Sequence, residues 1–284
     1  MSGASLLWPA GAVLGEGPVW DEALQRLWWM DIEGRRLHRM DAEGGDRRSW
    51  DLPARIGVLA LTATPGRLLL GLQSGLAWFT AEECAVTPLP EGRPWPADHR
   101  PNDGVVDTAG RFWFGTLQVE EPRPPVGALW RRAADGHIEH LEKGYRAPNG
   151  PALSADGARL VNTDSPDCGL YAFAVDAAPL VRRHFARLEV PGAVPDGMAW
   201  DAEGGLWVAA NGGGCVVRFD AAGQETARLA LPARQVSAVA FGGPGLRTLF
   251  ATTAGGAGCA GEGPDGAVLA LDPGVAGLAP RRLA

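Results

Sequence analysis

The sequence predicts an all-β fold, a six-bladed β-propeller built as a single domain over residues 1–284. Three observations predict it. A cassette of loop, short apolar strand, Asp/Gly turn and second apolar strand recurs at intervals of about forty to forty-seven residues, the period of a propeller blade. A short β-prone run closes each unit, and no long helical pattern intervenes. Glycine and proline, 40 and 23 residues, are spread along the chain as many turns between short strands require.

The units follow in order. Gly15-Glu16-Gly17-Pro18-Val19-Trp20 turns into Arg26-Leu27-Trp28-Trp29-Met30, and a degenerate second unit opens near Ile56. Asn102-Asp103-Gly104-Val105-Val106-Asp107 turns into Arg111-Phe112-Trp113-Phe114-Gly115. Asn149-Gly150-Pro151-Ala152-Leu153 turns into Arg159-Leu160-Val161-Asn162. Val194-Pro195-Asp196-Gly197-Met198-Ala199-Trp200 turns into Leu206-Trp207-Val208-Ala209, and the last unit opens at Ser237. The closing runs are 35–41, 75–79, 128–132, 170–175, 215–220 and 267–272. The segment around Ser5–Trp8 is expected to supply the outer strand of the last blade and so remove an exposed sheet edge.

In a propeller, the residue entering each innermost strand lies at one end of the central channel. Glu16, Asn102, Asn149 and Asp196 are therefore expected to converge. Asp or Asn before Gly is a common turn former. The turns inside these cassettes, however, already own acidic–Gly pairs, Asp156-Gly157 and Glu203-Gly204, so the openers stand where no turn former is needed. Two carboxylates and two carboxamides make a hard-oxygen site of charge −2, suited to one divalent ion such as Ca²⁺, Mg²⁺ or Mn²⁺. Zn²⁺ and Fe²⁺ stay open, although no His or Cys at an opener favours them.

A net charge of −7 and a pI near 5.3 argue against nucleic acid or an anionic membrane as partner. The N-terminus lacks a basic region and a sustained apolar run, and four scattered cysteines, Cys84, Cys168, Cys215 and Cys259, form no Cys-x-x-Cys pair. A cytoplasmic protein with reduced, inert thiols is expected. Lys143, the single lysine, limits Schiff-base chemistry to one candidate. Nothing in the sequence specifies an oligomer.

Taken together, Leu14-Gly15-Glu16-Gly17-Pro18-Val19-Trp20, Asp31-Ile32, Arg100-Pro101-Asn102-Asp103-Gly104, Gly110 to Thr116, Asn149-Gly150, Asp164 and Pro195-Asp196-Gly197-Met198 carry a resemblance. Over essentially its whole length, the chain is similar to the senescence-marker-protein/gluconolactonase/regucalcin-like family, close to the bacterial sugar-acid lactonases. That resemblance implies a single divalent ion held by Glu16, Asn149 and Asp196, with Asn102 beside it. It also implies that Arg100 and Asn102 contact substrate. The family's further substrate-binding glutamate falls on Glu120, with Glu121 as the alternative. His99 is not carried over and is read as a rim residue.

The implied reaction is hydrolysis of a small sugar lactone. An ion-bound carbonyl is polarised, and Asp196 takes a proton from the attacking water or positions it. The same metal site suits a phosphotriesterase, and a calcium-binding propeller without turnover is the non-enzyme alternative. Rim loops 119–126 and 164–169 are expected to hold specificity.

Other signals point elsewhere. There is no Gly-x-Ser-x-Gly elbow, His-Glu-x-x-His motif or phosphate-binding loop. Asn211-Gly212-Gly213-Gly214 reads as a hairpin turn, and Gly255 to Gly258 and Gly261-Glu262-Gly263 read as a flexible loop. The tryptophans read as core before sugar-stacking platforms.

Overall fold

Trp28 and Trp29, neighbours in the chain, point to opposite faces of one sheet and enter different cores. Trp28 packs on Ile56, Leu70 and Phe79 of the following blade, whereas Trp29 packs with Phe250 and Val268 of the last. This period-two alternation makes a strand apolar on both faces, and it repeats around the molecule. A separate core fills each of the six blade-to-blade interfaces among the described residues, including the one between last and first.

The computed structural model describes residues 3–258, 261 and 263–283. It contains six four-stranded antiparallel sheets. Strand β1 (Ser5–Trp8) precedes blade one, which comprises β2 (Gly15–Asp21), β3 (Arg26–Asp31), β4 (Arg36–Met40) and β5 (Arg48–Asp51). Blade two comprises β6 (Ile56–Leu61), β7 (Arg67–Leu72), β8 (Gly75–Thr80) and β9 (Ala85–Pro88). Blade three comprises β10 (His99–Val106), β11 (Phe112–Gln118), β12 (Gly127–Arg132) and β13 (Ile138–Tyr145). Blade four comprises β14 (Pro148–Leu153), β15 (Arg159–Asp164), β16 (Gly169–Ala174) and β17 (Arg183–Arg187). Blade five comprises β18 (Val194–Trp200), β19 (Leu206–Asn211), β20 (Cys215–Phe219) and β21 (Glu225–Ala230). Blade six comprises β22 (Val236–Gly242), β23 (Thr248–Thr253), β24 (Val268–Leu271) and the returning β1, which pairs with β24 and closes the ring.

The closing runs of the sequence form the third strand of each blade, with a fourth outside it. In blades one to five these outer strands are half exposed or more; Glu225–Ala230, for example, alternates exposed and partly buried residues. A short strand that buries only one edge needs no apolar pattern.

All six innermost strands carry one extra residue near their start. Between Glu16 and Val19 the partner strand advances only from Met30 to Trp28, and equivalent shifts occur in β6, β10, β14, β18 and β22. A bulge re-aims the side chains beside it. The six bulges therefore form a ring at the level of the openers. Close approach there requires glycine: a Cβ on Gly57 would lie 1.7 Å from the Pro101 carbonyl oxygen.

At the opposite end, the C-terminal segment crosses the channel from turn to turn. Ala202 N donates to Ala276 O, Gly277 bridges Asp201, and Leu283 pairs with Thr62. Arg282 donates to Asp21 Oδ1 at 2.5 Å and to Thr62 O at 2.9 Å. A cavity of about 180 Å³ lies in the channel, lined by Val58, Asp103, Leu153, Met198 and Phe241, and by Leu278 to Arg281 from the tail.

Trp20, Trp28, Trp29, Trp113 and Trp207 are fully buried, as core residues are. Cys84, Cys168 and Cys215 are free thiols. Cys259 and Glu262 lie outside the described residues. No helix among those residues is long and apolar enough to cross a membrane.

Candidate functional site

The bulges of β10, β14 and β18 send polar side chains into one hydrogen-bonded chain. Arg100 Nη1 donates to Asn102 Oδ1 at 2.6 Å and to Pro101 O at 2.9 Å. Asn102 Nδ2 donates to Asn149 Oδ1 at 2.5 Å and to Pro148 O at 2.9 Å. Asn149 Nδ2 donates to Ser165 Oγ at 2.9 Å, and that hydroxyl donates to Pro195 O at 2.7 Å. Since the Ser165 proton goes to Pro195, its oxygen must accept from Asn149. This fixes the Asn149 amide with its Oδ1 toward Asn102.

Asp196 follows Pro195. Its Oδ2 accepts from Asn211 Nδ2 at 2.8 Å, and its Oδ1 is buried without a partner. Glu16 arrives from blade one with a single local bond, accepting from Gly17 N at 3.3 Å. Burial pushes the Glu16 carboxyl well up, and the negative charges of Asp196 and Asp103 push it further. Burial likewise raises Asp196 to about 7, against hydrogen bonds from Asn211 and the Gly197 backbone. Asp103 faces the internal cavity, and burial raises it too, opposed by the backbone N–H groups of Gly104 and Gly150. Three enclosed carboxyls thus disfavour one another's ionised form.

This crowding and the unpartnered Asp196 oxygen make an environment that a positive charge would stabilise. Glu16, Asn149 and Asp196 offer oxygen donors alone, and that set fits a hard divalent cation. Among the described residues no group of three His, Cys, Asp or Glu side chains is arranged to hold a metal. The third donor here is the Asn149 amide oxygen.

Arg100 is only 3% exposed. Burial lowers it to about 10, and Arg123 adds repulsion that Glu33 and Glu16 offset, so it stays charged at neutral pH. It makes no ion pair with Asp98 or Asp103. Glu120 is exposed on the loop between β11 and β12 and makes no hydrogen bond or ion pair with this cluster. Glu121 pairs with Arg123 at 2.7 Å. His99 is not a rim residue: it is 5% exposed, with Nδ1 on Asp98 and Nε2 buried without a partner. Its place within β10, opposite Gln118, draws it into the blade.

The sixth opener serves the wall. Ser237 donates to the carbonyl of Gly15, joining blade six to the strand that carries Glu16.

The sequence reading places Asn211 in a hairpin turn and Ser165 in the rim loop 164–169, and gives neither a role beside the openers. A signal for Asn211 does exist. Asp31, Asp164 and Asn211 stand at one relative position, the end of the second strand, opposite Gly15, Pro148 and Val194. Asp31 accepts from Val13 N and Leu14 N, and Asp164 from Arg146 N and Ala147 N. Each holds the backbone leading to an opener, and Asn211 instead holds its opener directly.

The profile of the SMP-30/gluconolactonase/LRE-like region matches residues 14–255, most of the chain and all six innermost strands in full. The chain belongs to that family. Among curated relatives, it is 37% identical over 283 residues to a pentonolactonase of Haloferax volcanii, covering 93% of this chain and 92% of that protein. It is 38% identical over 256 residues to an L-arabinolactonase of Azospirillum brasilense, covering 88% and 84%. Among solved structures, a calcium-binding protein, regucalcin, from Agrobacterium tumefaciens superposes with a TM-score of 0.88 at 25% identity, over 100% of this chain and 98% of that one. This family member thus shares the six-bladed architecture of its relatives.

Proposed function

We propose that the protein hydrolyses sugar-acid (aldono-) lactones to open-chain aldonic acids with the help of one divalent ion held by Glu16, Asn149 and Asp196. The observation that carries this reading is the convergence, at one end of the channel, of an unpartnered Asp196 oxygen, a second buried carboxyl and a fixed amide oxygen. Relatives named as a pentonolactonase, an L-arabinolactonase and a 6-deoxy-6-sulfogluconolactonase support the lactone class.

A bound ion would supply a Lewis acid for the ester carbonyl. The remaining work falls to the chain. Asn211 fixes one oxygen of Asp196 and leaves the other to meet the ion or the attacking water, whose proton Asp196 takes or orients. Both Asn102 amide protons are engaged, so Asn102 offers substrate the remaining acceptor lone pair of Oδ1. Arg100, with Nη1 occupied by Asn102 and Pro101, offers its other N–H groups as donors. Glu120, exposed on the loop between β11 and β12, is the proposed acceptor for a remote sugar hydroxyl. A cytoplasmic setting accords with free Cys84, Cys168 and Cys215.

A second reading, a calcium-binding propeller without turnover, draws on the likeness to regucalcin. One experiment separates the two. Metal-stripped protein is given gluconolactone, xylonolactone and arabinonolactone, with Ca²⁺, Mg²⁺, Mn²⁺, Zn²⁺ or Fe²⁺ restored in turn, and acid release is followed above the spontaneous rate. Metal-restored turnover that folded Asp196→Ala lacks is expected. No turnover with any ion, from folded protein, would favour the binding propeller.

A further inference from the structure

Blades one, three and five repeat one buried arrangement at the far end of the channel, and blade one departs from it. By strand register, Asp21, Asp107 and Asp201 occupy the same place, each following the innermost-strand residue opposite Leu27, Phe112 or Leu206. Trp28, Trp113 and Trp207 correspond likewise, standing opposite Val19, Val105 and Ala199. On the third strand, Arg39, Arg131 and Arg218 face those three tryptophans.

In blade five, Asp201 Oδ2 accepts from Trp207 Nε1 at 2.9 Å and from Arg218 Nε at 2.7 Å. In blade three, Asp107 Oδ2 accepts from Trp113 Nε1 at 2.8 Å and from Arg111 Nε at 2.6 Å, Arg131 being taken by Glu139. One carboxylate oxygen thus gathers an indole and a guanidinium, while the other holds backbone N–H groups of the turn.

Blade one has the residues without the bonds. Asp21 Oδ1 still holds its turn, through Ala23 N and Leu24 N. Asp21 Oδ2, Trp28 Nε1 and Arg39 Nε, however, are all buried without hydrogen-bond partners. These are the three atoms whose counterparts are joined in blade five. Leaving buried donors and an acceptor unmade is costly, so something must hold them apart.

The C-terminal segment does so. Arg282 donates to Asp21 Oδ1 and, at 2.9 Å, to Thr62 O. The blade's own arginines turn outward instead, Arg26 and Arg39 meeting Asp46 at 2.9 and 3.4 Å. The guanidinium on Asp21 therefore comes from the tail, where blades three and five supply theirs from within.

We infer that residues 278–283 are a strap with two arrangements. In the docked one, Arg282 holds Asp21, and Leu278 to Arg281 cover the channel cavity that Asp103 faces. In the released one, Asp21 Oδ2 accepts from Trp28 Nε1 and Arg39 Nε, repeating blade five, and the cavity opens at the far end of the ring. Arg39 can stay on Asp46 throughout, because it uses Nη2 there and its Nε is free. One charge-assisted bond is exchanged for another plus an indole bond, so the two arrangements lie close enough for a local change to shift their populations. The docked one prevails in the native chain, and the stability lost on removing Arg282 is the gap between them.

The test reads the indole N–H resonances of wild type and Arg282→Ala by ¹⁵N-edited NMR, with Trp28→Phe, Trp113→Phe and Trp207→Phe assigning the three that matter. In the wild type, the Trp28 proton is expected upfield of the carboxylate-bonded Trp113 and Trp207 protons, and in Arg282→Ala it should move downfield to join them. Trp28→Phe should also cost roughly tenfold more in the folding equilibrium constant in Arg282→Ala than in wild type, one hydrogen bond's worth, its packing loss cancelling between the two backgrounds. A cysteine placed in the cavity by Leu153→Cys should react with a thiol reagent at least about tenfold faster once Arg282 is gone, as located by mass spectrometry. Arg282→Gln serves in the same measurements if Arg282→Ala does not fold. A Trp28 resonance already beside the other two in the wild type, or one that stays put on losing Arg282 while the two substitutions simply add, would overturn the inference. So would equal labelling of position 153 in both proteins.

Discussion

Asn211 donates its side-chain amide to Asp196 Oδ2 at 2.8 Å, and the other oxygen of Asp196 remains buried without a partner. One carboxylate is thus half tethered and half open, a division suited to a group that must keep its orientation while meeting an ion or a water.

Removing the tether should impair the site without unfolding the blade. Asn211→Ala is expected to lower divalent-ion affinity and lactone turnover by about ten- to a hundredfold, the usual consequence of losing a partner that orients a ligand. Equilibrium dialysis and initial rates check this, with circular dichroism reporting the fold. Wild-type ion affinity in the variant would remove Asn211 from the site.

The pH dependence of stability in metal-free protein follows from Asp196, raised from 3.8 to about 7. Because the folded value exceeds the unfolded one, its stabilising contribution is complete below pH 3.8 and is lost as pH rises through 7. Glu16, also raised, acts with the same sign. Melting temperature should therefore fall between pH 4 and 8 more steeply in the wild type than in Asp196→Asn. Saturating divalent ion should flatten the wild-type curve. Identical slopes in both proteins would contradict the assignment.

Gly57→Ala tests the ring of bulges. Its new Cβ would stand 1.7 Å from the Pro101 carbonyl oxygen, so β6 or β10 must move. A loss of about 1–3 kcal/mol is expected from overpacking, read as a lower urea midpoint. Turnover should fall as well, because Pro101 immediately precedes Asn102.

The far end of the channel offers a test independent of the site. Arg282→Ala removes a donor from Asp21, which is 1% exposed and already has Oδ2 without a partner. Asp21 Oδ1 keeps the backbone N–H groups of Ala23 and Leu24, so destabilisation of about 1.5–3 kcal/mol is expected from the lost charge-assisted bond to a buried carboxylate. Denaturant unfolding measures it, and an unchanged midpoint would show that the tail contributes nothing at this turn.

Several parts of the site were legible in the chain because they repeat. Glu16, Asn149 and Asp196 share a place in their cassettes, and a ring of like units turns a shared place into a shared end of the channel. Ser5–Trp8 was legible as the closing strand because a propeller leaves one strand position to fill. Asn211 was masked by its own neighbours, since Gly212 to Gly214 form a turn whatever Asn211 does. Ser165 follows the end of β15 and meets Pro195, thirty residues onward, only when two blades are assembled. The outer strands lacked a signal because they bury little.

The amino-acid order by itself determined the blade count, the apolar character of the inner strands and the level at which polar openers meet the axis. Those depend on local periodicity and turn chemistry, which act over a few residues. Only the tertiary structure decided which oxygen of Asp196 is free, how Asn149 is turned and that Arg100 lacks a carboxylate partner while Arg123 pairs with Glu121. Such facts depend on strand register and on contacts between blades, where a shift of one residue would send the same side chain to the opposite face.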